Sequence, residues 1–379
     1  MELFKDILRL VRWSNLLFLA ALVWLMEKWV AVPLLNQLAF GEQLAWYVLL
    51  LLSLAIVLIA AGGYVINDYF DVKIDRINRP DEVIVTCSVS KPAAMRLSVA
   101  LSGLGVLCGL TVAVLLRSWT IGSVFILVPG LLWFYSSSYK RLFMVGNLTI
   151  ALLAAMTPMM VAIANVAQLQ LLYATILPYT NLVHDLYAWL GGFALFAFLL
   201  TWIREIVKDM QDQMGDRELE CHSMPVVWGE LWTKIFVTAL IVLTLAIIGH
   251  LWYRVLPFPI GWSSLSTRYI LFGIVIPLLG ALGLLWSAKI PSDYKTCQQL
   301  LKFTMLLGML YSFCIVQMHP TNDPNVVVRY AQGAYDTETG ESLSGKEFLS
   351  GSYDATTKTV TLTGGFRGET ATYNMTEVQ

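Results

Sequence analysis

The sequence predicts an all-α integral membrane bundle of about nine transmembrane helices, followed by a short β-rich C-terminal tail. Three observations predict it. Of 379 residues, 57% are hydrophobic and 13% charged, against roughly 25% charged in soluble domains. The apolar residues gather into runs near the ~20 residues that carry a helix across a hydrocarbon core of about 30 Å. The loops between the runs are alternately rich and poor in Lys and Arg, the pattern that orients membrane helices. Mean hydropathy is +0.67. The net charge of -1 says little about partners, since the position of each charge along the chain is what informs.

The runs lie near 14–34, 45–66, 97–116, 120–136, 146–165, 186–203, 233–253, 269–288 and 300–318. Trp13, Ser14 and Asn15 open the first, which continues past signal-peptide length without a small-residue cleavage site, so it reads as a retained span. The runs at 120–136 and 186–203 are short and fit a locally thin or tilted crossing. Positive charges gather at Lys5, Arg9 and Arg12, then at Lys73, Arg76, Arg79, Lys91 and Arg96, then at Lys140 and Arg141. They recur at Arg204, Lys208, Arg217 and Lys234, and at Lys289, Lys295 and Lys302, while the intervening loops keep Lys28, Arg117, Arg254 and Arg268. The N-terminus is therefore expected inside and the C-terminus outside, in a bacterial-type plasma (inner) membrane.

Residues 1–319 make the expected membrane domain and 320–379 the tail. In the tail Val326–Val328 and Thr359–Thr363 are strand-like runs separated by Gly, Ser, Asp and Thr. The five cysteines have neither zinc-site nor disulfide spacing and read as buried or loop residues. His184 and His222 read as polar loop residues, and Gly62 with Gly63 as a point of close helix approach.

The chemistry lies at two membrane exits. At the first, Asn67-Asp68-Tyr-Phe-Asp71-Val-Lys-Ile-Asp75-Arg76-Ile-Asn-Arg79-Pro80 puts three carboxylates at i, i+3 and i+7, one face of a helix, with Asn67 on its edge. At the second, Glu205, Asp209, Asp212 and Asp216 follow at spacings of four, three and four, again expected on one helical face. Uncompensated anions repel, and oxygen-only ligands suit Mg2+, which carries phosphate as a co-ligand. Asn67, Asp68, Asp71, Asp75, Asp209, Asp212 and Asp216 are the candidate metal ligands, with Asp68, Asp71, Asp75, Asp209 and Asp212 the candidate catalytic group. Two such faces on one side of a membrane suit a diphosphate leaving group held through Mg2+, with Arg76, Arg79, Lys140, Arg141 and Lys208 as candidate phosphate contacts. Salt-bridged surface helices are the alternative reading of the second cluster. Tyr135 and Tyr139 either steady an allylic cation or belong to the interfacial aromatic belt. Lys140 and Arg141 serve equally as determinants of orientation. An ion transporter is the competing class; it would hold carboxylates near the midplane and repeat its halves, whereas these lie at span ends in unequal surroundings.

Asn67-Asp68-x-x-Asp71-x-x-x-Asp75, with Asp209-x-x-Asp212-x-x-x-Asp216 and nine spans, resembles the UbiA-type intramembrane prenyltransferase superfamily, and most closely its digeranylgeranylglyceryl phosphate synthase branch. Arg12-x-x-Asn15, the stretch from Tyr135 to Lys140, and Gly146-Asn147 are shorter echoes, with Trp13 where relatives carry proline. The resemblance covers roughly 1–318. It implies that both acidic motifs bind Mg2+ and a polyprenyl diphosphate donor, geranylgeranyl by the branch, with the chain in a tunnel open to the lipid bilayer. Arg12 and Asn15 would then face a lipophilic acceptor, a geranylgeranylglyceryl phosphate-type hydroxyl being favoured and an aromatic quinone precursor the alternative; as span-end anchors they would have no such role. No nucleic-acid partner is expected, and protein partners stay open.

Overall fold

The computed structural model describes residues 2–37, 43–174, 177, 180–256, 258, 260–316, 326–329, 347–354, 359–363 and 370–374. They fall into two compact units, Met1–Ala31 with Leu44–Cys314 and Val32–Gln43 with Ile315–Gln379. Among the described residues nine helices are long and apolar enough to cross a membrane: Trp13–Leu35, Trp46–Asn78, Lys91–Leu115, Trp119–Ser137, Val145–Tyr173, Leu182–Gln211, Glu230–Val255, Leu265–Ser287 and Pro291–Val316. This is an integral multi-pass membrane protein.

The helices outrun the apolar runs that announced them. The second span has 33 residues, about 50 Å at 1.5 Å per residue, so its last turns extend beyond a hydrocarbon core of about 30 Å. The sixth, expected short at 186–203, is a 30-residue helix; its charged last turns stayed helical after the hydropathy signal had ended. A short helix at Glu2–Leu10 precedes the first span. Between them Arg12 takes a left-handed conformation (φ 53°, ψ 54°), uncommon for a residue with a side chain, and the chain turns there.

Burial sorts the spans. Over their most apolar windows the second and fifth are 56% buried and the third and fourth 22%, so the former pair is central and the latter peripheral. Outward-facing Leu107, Val114, Leu127 and Trp119 of the peripheral spans are well exposed, which costs nothing where the surroundings are lipid. The second and third spans meet through small residues: a Cβ on Gly62 would lie 2.2 Å from Ser102 Oγ, and one on Gly105 2.7 Å from Ile59 Cγ1. Ser98 Oγ donates to the Gly62 carbonyl at 2.8 Å across this contact. Both glycines therefore act in packing.

One buried feature of the first span escaped the sequence reading. The first span contains a π-helical segment, Met26–Ala31, and within it Glu27 is fully buried. Glu27 Oε2 accepts from Asn165 Nδ2 of the fifth span at 2.6 Å, so the carboxylate is partnered. The second unit contains a four-stranded antiparallel meander in the order β1-β2-β3-β4: Val326–Arg329 (β1), Glu347–Asp354 (β2), Thr359–Thr363 (β3) and Thr370–Asn374 (β4). Tyr353 pairs with Val360 and Leu362 with Ala371.

Candidate active site

The end of the second span carries the first acidic motif as one helical face, because the helix runs unbroken to Asn78. Each of its first two carboxylates has acquired a cation from elsewhere. Arg12 Nη2 lies 3.0 Å from Asp68 Oδ1, with its guanidinium 4.8 Å above the Tyr64 ring. Lys140 Nζ pairs with Asp71, and Asn67 Nδ2 donates to the same carboxylate at 2.7 Å. The left-handed turn at Arg12 is thus fixed by an ion pair to a residue 56 positions away.

The second acidic segment is not one continuous helical face. The sixth span ends at Gln211, Asp212 caps it, and a separate helix runs from Gln213 to Glu218. The break is held by the second span. Asn78 Nδ2 donates to the Asp212 carbonyl at 3.2 Å and Asn78 Oδ1 accepts from Gly215 N–H at 3.0 Å. A Cβ on Gly215 would stand 2.6 Å from Asn78 Nδ2, so glycine is what lets the two segments close. Arg79 Nη2 reaches both Asp212 oxygens, at 2.6 and 2.7 Å. Two consecutive residues at the end of the first motif, Asn78 and Arg79, thus hold the segment that faces it. Asp209 accepts from Asn147 Nδ2 at 2.8 Å, and Glu205 lies 2.5 Å from Arg204 and 3.7 Å from Lys208.

Between the motifs is a small polar cavity of about 30 Å³, lined by Asp75, Glu205, Asp209, Asp212 and Asp216 against Lys140 and Lys208. It adjoins a larger cavity of about 460 Å³, walled by Phe18, Leu22, Ile56, Ile59, Phe125, Leu132, Leu153, Met156 and Met160. Tyr135, Glu205 and Lys208 line both. Outside the spans the electrostatics are lopsided. Burial pushes the Asp216 carboxyl above the usual carboxylate range, with Asp212 adding to the effect and Lys140 opposing it. Burial works against the Lys140 ammonium, but Asp71, Asp75 and Asp216 outweigh it and hold its pKa above the usual lysine value.

Not every candidate residue comes to these cavities. Arg12, Asn15, Asn67, Arg79, Tyr135 and Lys208 line the larger one, and Asp75, Lys140, Asp209, Asp212 and Asp216 the smaller. Tyr135 is buried and so is no belt residue. Tyr139 stacks on Phe134 at 5.9 Å, Arg76 donates to Thr86 Oγ1 at 3.1 Å in an exposed contact, and Arg141 is exposed; none of these three lines either cavity, and neither do Asp68 and Asp71, which their pairing with Arg12 and Lys140 holds at the edge of the site. Asn78, Asn147, Glu205 and Arg204 were not among the candidate ligands or substrate contacts, although Glu205 was placed in the second acidic cluster and Asn147 in a short family echo. Asn78 is neutral, and only its place beside a charged motif could have drawn attention to it.

Among the described residues no three of His, Cys, Asp and Glu converge tightly enough to hold a metal ion, and Arg12, Lys140 and Arg79 pair with Asp68, Asp71 and Asp212. The donor set nonetheless fits Mg2+. It is all oxygen, five carboxylates face two ammonium groups across the small cavity, and Asn67 Oδ1 is buried without a hydrogen-bond partner. A buried acceptor of this kind calls for a cation or donor.

The UbiA prenyltransferase family model matches residues 29–310. The chain belongs to the UbiA prenyltransferase family. Among sequence relatives, the digeranylgeranylglyceryl phosphate synthase of Ignicoccus hospitalis is 35% identical over 171 residues, which cover 45% of this chain and 51% of that one. The chain thus spans about half the length of this UbiA relative. Two solved structures have the same fold. One, from work on digeranylgeranylglyceryl phosphate synthase in membranes, has a TM-score of 0.54 and 24% identity over 84% of this chain and all of that one. The other is a UbiA homolog from Archaeoglobus fulgidus bound to DMAPP and Mg2+, with a TM-score of 0.50 and 15% identity over 83% of this chain and all of that one. In this UbiA member, Asp75 of the first acidic motif faces the second motif across the small cavity, and the larger cavity shares Tyr135, Glu205 and Lys208 with it.

Proposed function

We propose that the protein is a Mg2+-dependent prenyltransferase that moves a polyprenyl group, geranylgeranyl, from its diphosphate to the hydroxyl of a glycerophosphate-type lipid. One observation carries this reading: an acidic, cation-demanding cavity opens through Tyr135, Glu205 and Lys208 onto an apolar cavity of about 460 Å³. The pair matches a donor with a charged head and a greasy tail. The relatives named digeranylgeranylglyceryl phosphate synthase support the choice of acceptor, and the homolog bound to DMAPP and Mg2+ supports the choice of donor head and ion.

Asn67, Asp68, Asp71 and Asp75 from one side, and Asp209, Asp212 and Asp216 from the other, would hold the metal. When bound, Mg2+ supplies positive charge that stabilises the departing diphosphate. The chain's own residues do the rest. Lys140 and Lys208 add positive charge where the carbon–oxygen bond breaks and the electron pair leaves with the diphosphate. Arg79 orients Asp212 toward that head. The Tyr135 ring lies where the allylic cation forms and offers it a quadrupole. The apolar walls keep water from the cation until the acceptor oxygen captures it and the hydroxyl proton departs. In this reading Asp68 and Asp71 exchange Arg12 and Lys140 for the metal, and the ion pairs pre-position both carboxylates in a membrane bundle that would otherwise hold them at high cost.

The same reading places the site on the cytoplasmic side of a plasma membrane, with the N-terminus inside and residues 320–379 as a β-rich unit outside. Membranes containing the protein, given labelled geranylgeranyl diphosphate and a geranylgeranylglyceryl phosphate acceptor, test it. We expect transfer that stops with EDTA and falls about 10²-fold or more in Asp68→Ala and Asp71→Ala. Transfer that persists in both variants overturns the proposal, and transfer to an aromatic quinone precursor alone replaces the acceptor.

A further inference from the structure

The larger cavity is not apolar throughout. Its mouth carries Arg12, Arg204, Lys208 and Lys302, with Asn15 and Gln298 between them, and this cluster differs in kind from the carboxylate-lined cavity beside it. Lys302 belongs to the ninth span, where a cation is costly and calls for a partner. Its Nζ donates to Asn15 Oδ1 of the first span at 2.6 Å, and no carboxylate is paired with it among the described residues. Arg204 lines the same cavity with the same sign of charge. Arg204 spends one nitrogen on Glu205, but its Nε is buried and has no hydrogen-bond partner among the described residues. Arg79, which also lines this cavity, is neutralised by Asp212, Lys208 is shared with the acidic cavity, and the other cations face two carboxylates, Asp68 and Glu205. The mouth is left with an excess of positive charge and an unused guanidinium donor.

With Lys208 given to the diphosphate head, Arg12, Arg204 and Lys302 against Asp68 and Glu205 still leave a surplus cation and a spare guanidinium donor, which suit a phosphomonoester with its negative charge and three acceptor oxygens. The donor diphosphate does not account for it, since its head belongs to the acidic cavity. We propose that Lys302 and Arg204, supported by Arg12 and Gln298, form a second anion site that takes the phosphomonoester head of the amphiphilic acceptor. Arg204 contributes a planar fork and Lys302 a point charge. Asn15 holds Lys302 at the seam between the first and ninth spans, where a lipid with its head at the interface would meet it. This rests on the prenyl-transfer reading for the identity of the acceptor, though not for the existence of the anion site.

The test has two arms, on Lys302→Met and Arg204→Gln in the full-length protein. In the first, transfer is measured to a prenylglyceryl phosphate and to the same lipid without its phosphate. One charge-assisted hydrogen bond is worth about 1.5–3 kcal/mol, or about a 10- to 100-fold change. Lys302→Met is therefore expected to raise KM for the phosphorylated acceptor about 10- to 100-fold, to leave KM for the donor within about twofold, and to leave the dephosphorylated acceptor unaffected. Equal losses on both acceptors, or a shift confined to the donor, overturn the proposal. The second arm needs no turnover: binding of dodecyl phosphate and of dodecanol to the purified protein, followed by tryptophan fluorescence. Dodecyl phosphate should bind the wild type more tightly than dodecanol does and lose that advantage in both variants. Unchanged preference in the variants overturns the site. If inorganic phosphate displaces dodecyl phosphate at equal concentration, the ligand is free phosphate and the acceptor assignment falls. A wild type that binds dodecyl phosphate by these residues yet transfers no prenyl group keeps the anion site and refutes the prenyl-transfer reading.

Discussion

Asn78→Ala isolates the joint between the two acidic segments. Asn78 makes one hydrogen bond to the Asp212 carbonyl at 3.2 Å and accepts one from Gly215 N–H at 3.0 Å, and it ligates nothing in the proposed mechanism. Each neutral hydrogen bond contributes about 0.5–1.5 kcal/mol, so the loss of both frees the Asp212–Asp216 segment by about 1–3 kcal/mol. That segment supplies two of the proposed Mg2+ ligands. If the freed energy falls on metal binding, the half-saturating Mg2+ concentration should rise about 5- to 160-fold, at 1.36 kcal/mol per decade. The assay is the Mg2+ dependence of prenyl transfer at saturating donor, with the thermal midpoint in detergent alongside. Asn78→Asp keeps the acceptor for Gly215 N–H but loses the donor to Asp212, and should fall between the two. A variant with wild-type Mg2+ dependence and an unchanged midpoint would refute the reasoning, since the joint would then hold nothing.

Gly215→Ala should reproduce the Asn78→Ala effect from the other side, because its Cβ would stand 2.6 Å from Asn78 Nδ2; a silent variant in the Mg2+ titration would contradict the close approach. Gly109→Ala should shift donor preference toward shorter prenyl chains, about 10-fold or more in relative kcat/KM. Its Cβ would meet the Phe125 ring at 2.3 Å and drive that ring into the cavity it lines. An unchanged preference among C15, C20 and C25 diphosphates would count against Phe125 as the wall. Asn165→Leu removes the 2.6 Å donor to buried Glu27 and should destabilise the bundle by about 1–3 kcal/mol, read as a lower thermal midpoint that Glu27→Gln does not show. For Lys140, whose folded pKa is raised by Asp71, Asp75 and Asp216 against burial, the ion pairs stabilise fully below the unfolded lysine pKa of about 10.4. That increment is lost as pH rises through the folded value, so the thermal midpoint should be level from about pH 7 to 9 and decline above about 10.4, a decline that Lys140→Met lacks.

Much of the fold was legible because hydropathy reports lipid contact directly, and nine runs became nine spans. Their ends were less legible. A helix that leaves the membrane keeps its backbone hydrogen bonds while its side chains turn polar, so the second and sixth spans continue through Asp75 and Asp209 where the apolar signal has stopped. The acidic motifs were legible as charge at fixed spacing. The break at Asp212 was not, since it depends on Asn78 holding the Asp212 carbonyl and Gly215 N–H, a contact across more than 130 residues. The same limit hid the partners Arg12–Asp68 and Lys140–Asp71. Periodicity also says nothing of which basic residues turn inward, so Arg76 and Arg141 ranked beside Lys140 and Arg79 in the sequence and are separated from them in space.

The central claim is that both acidic segments grip one diphosphate head through Mg2+. The most direct measurement is the binding of a non-ionising geranylgeranyl thiolodiphosphate to the purified protein, with Mg2+ and with EDTA, in the wild type and in Asp71→Asn and Asp209→Asn, one substitution in each segment. The account predicts binding that requires Mg2+ and that either substitution weakens about 10-fold or more, from about 1.5–3 kcal/mol per charged contact. Binding that survives EDTA, or that only one of the two substitutions affects, would contradict it.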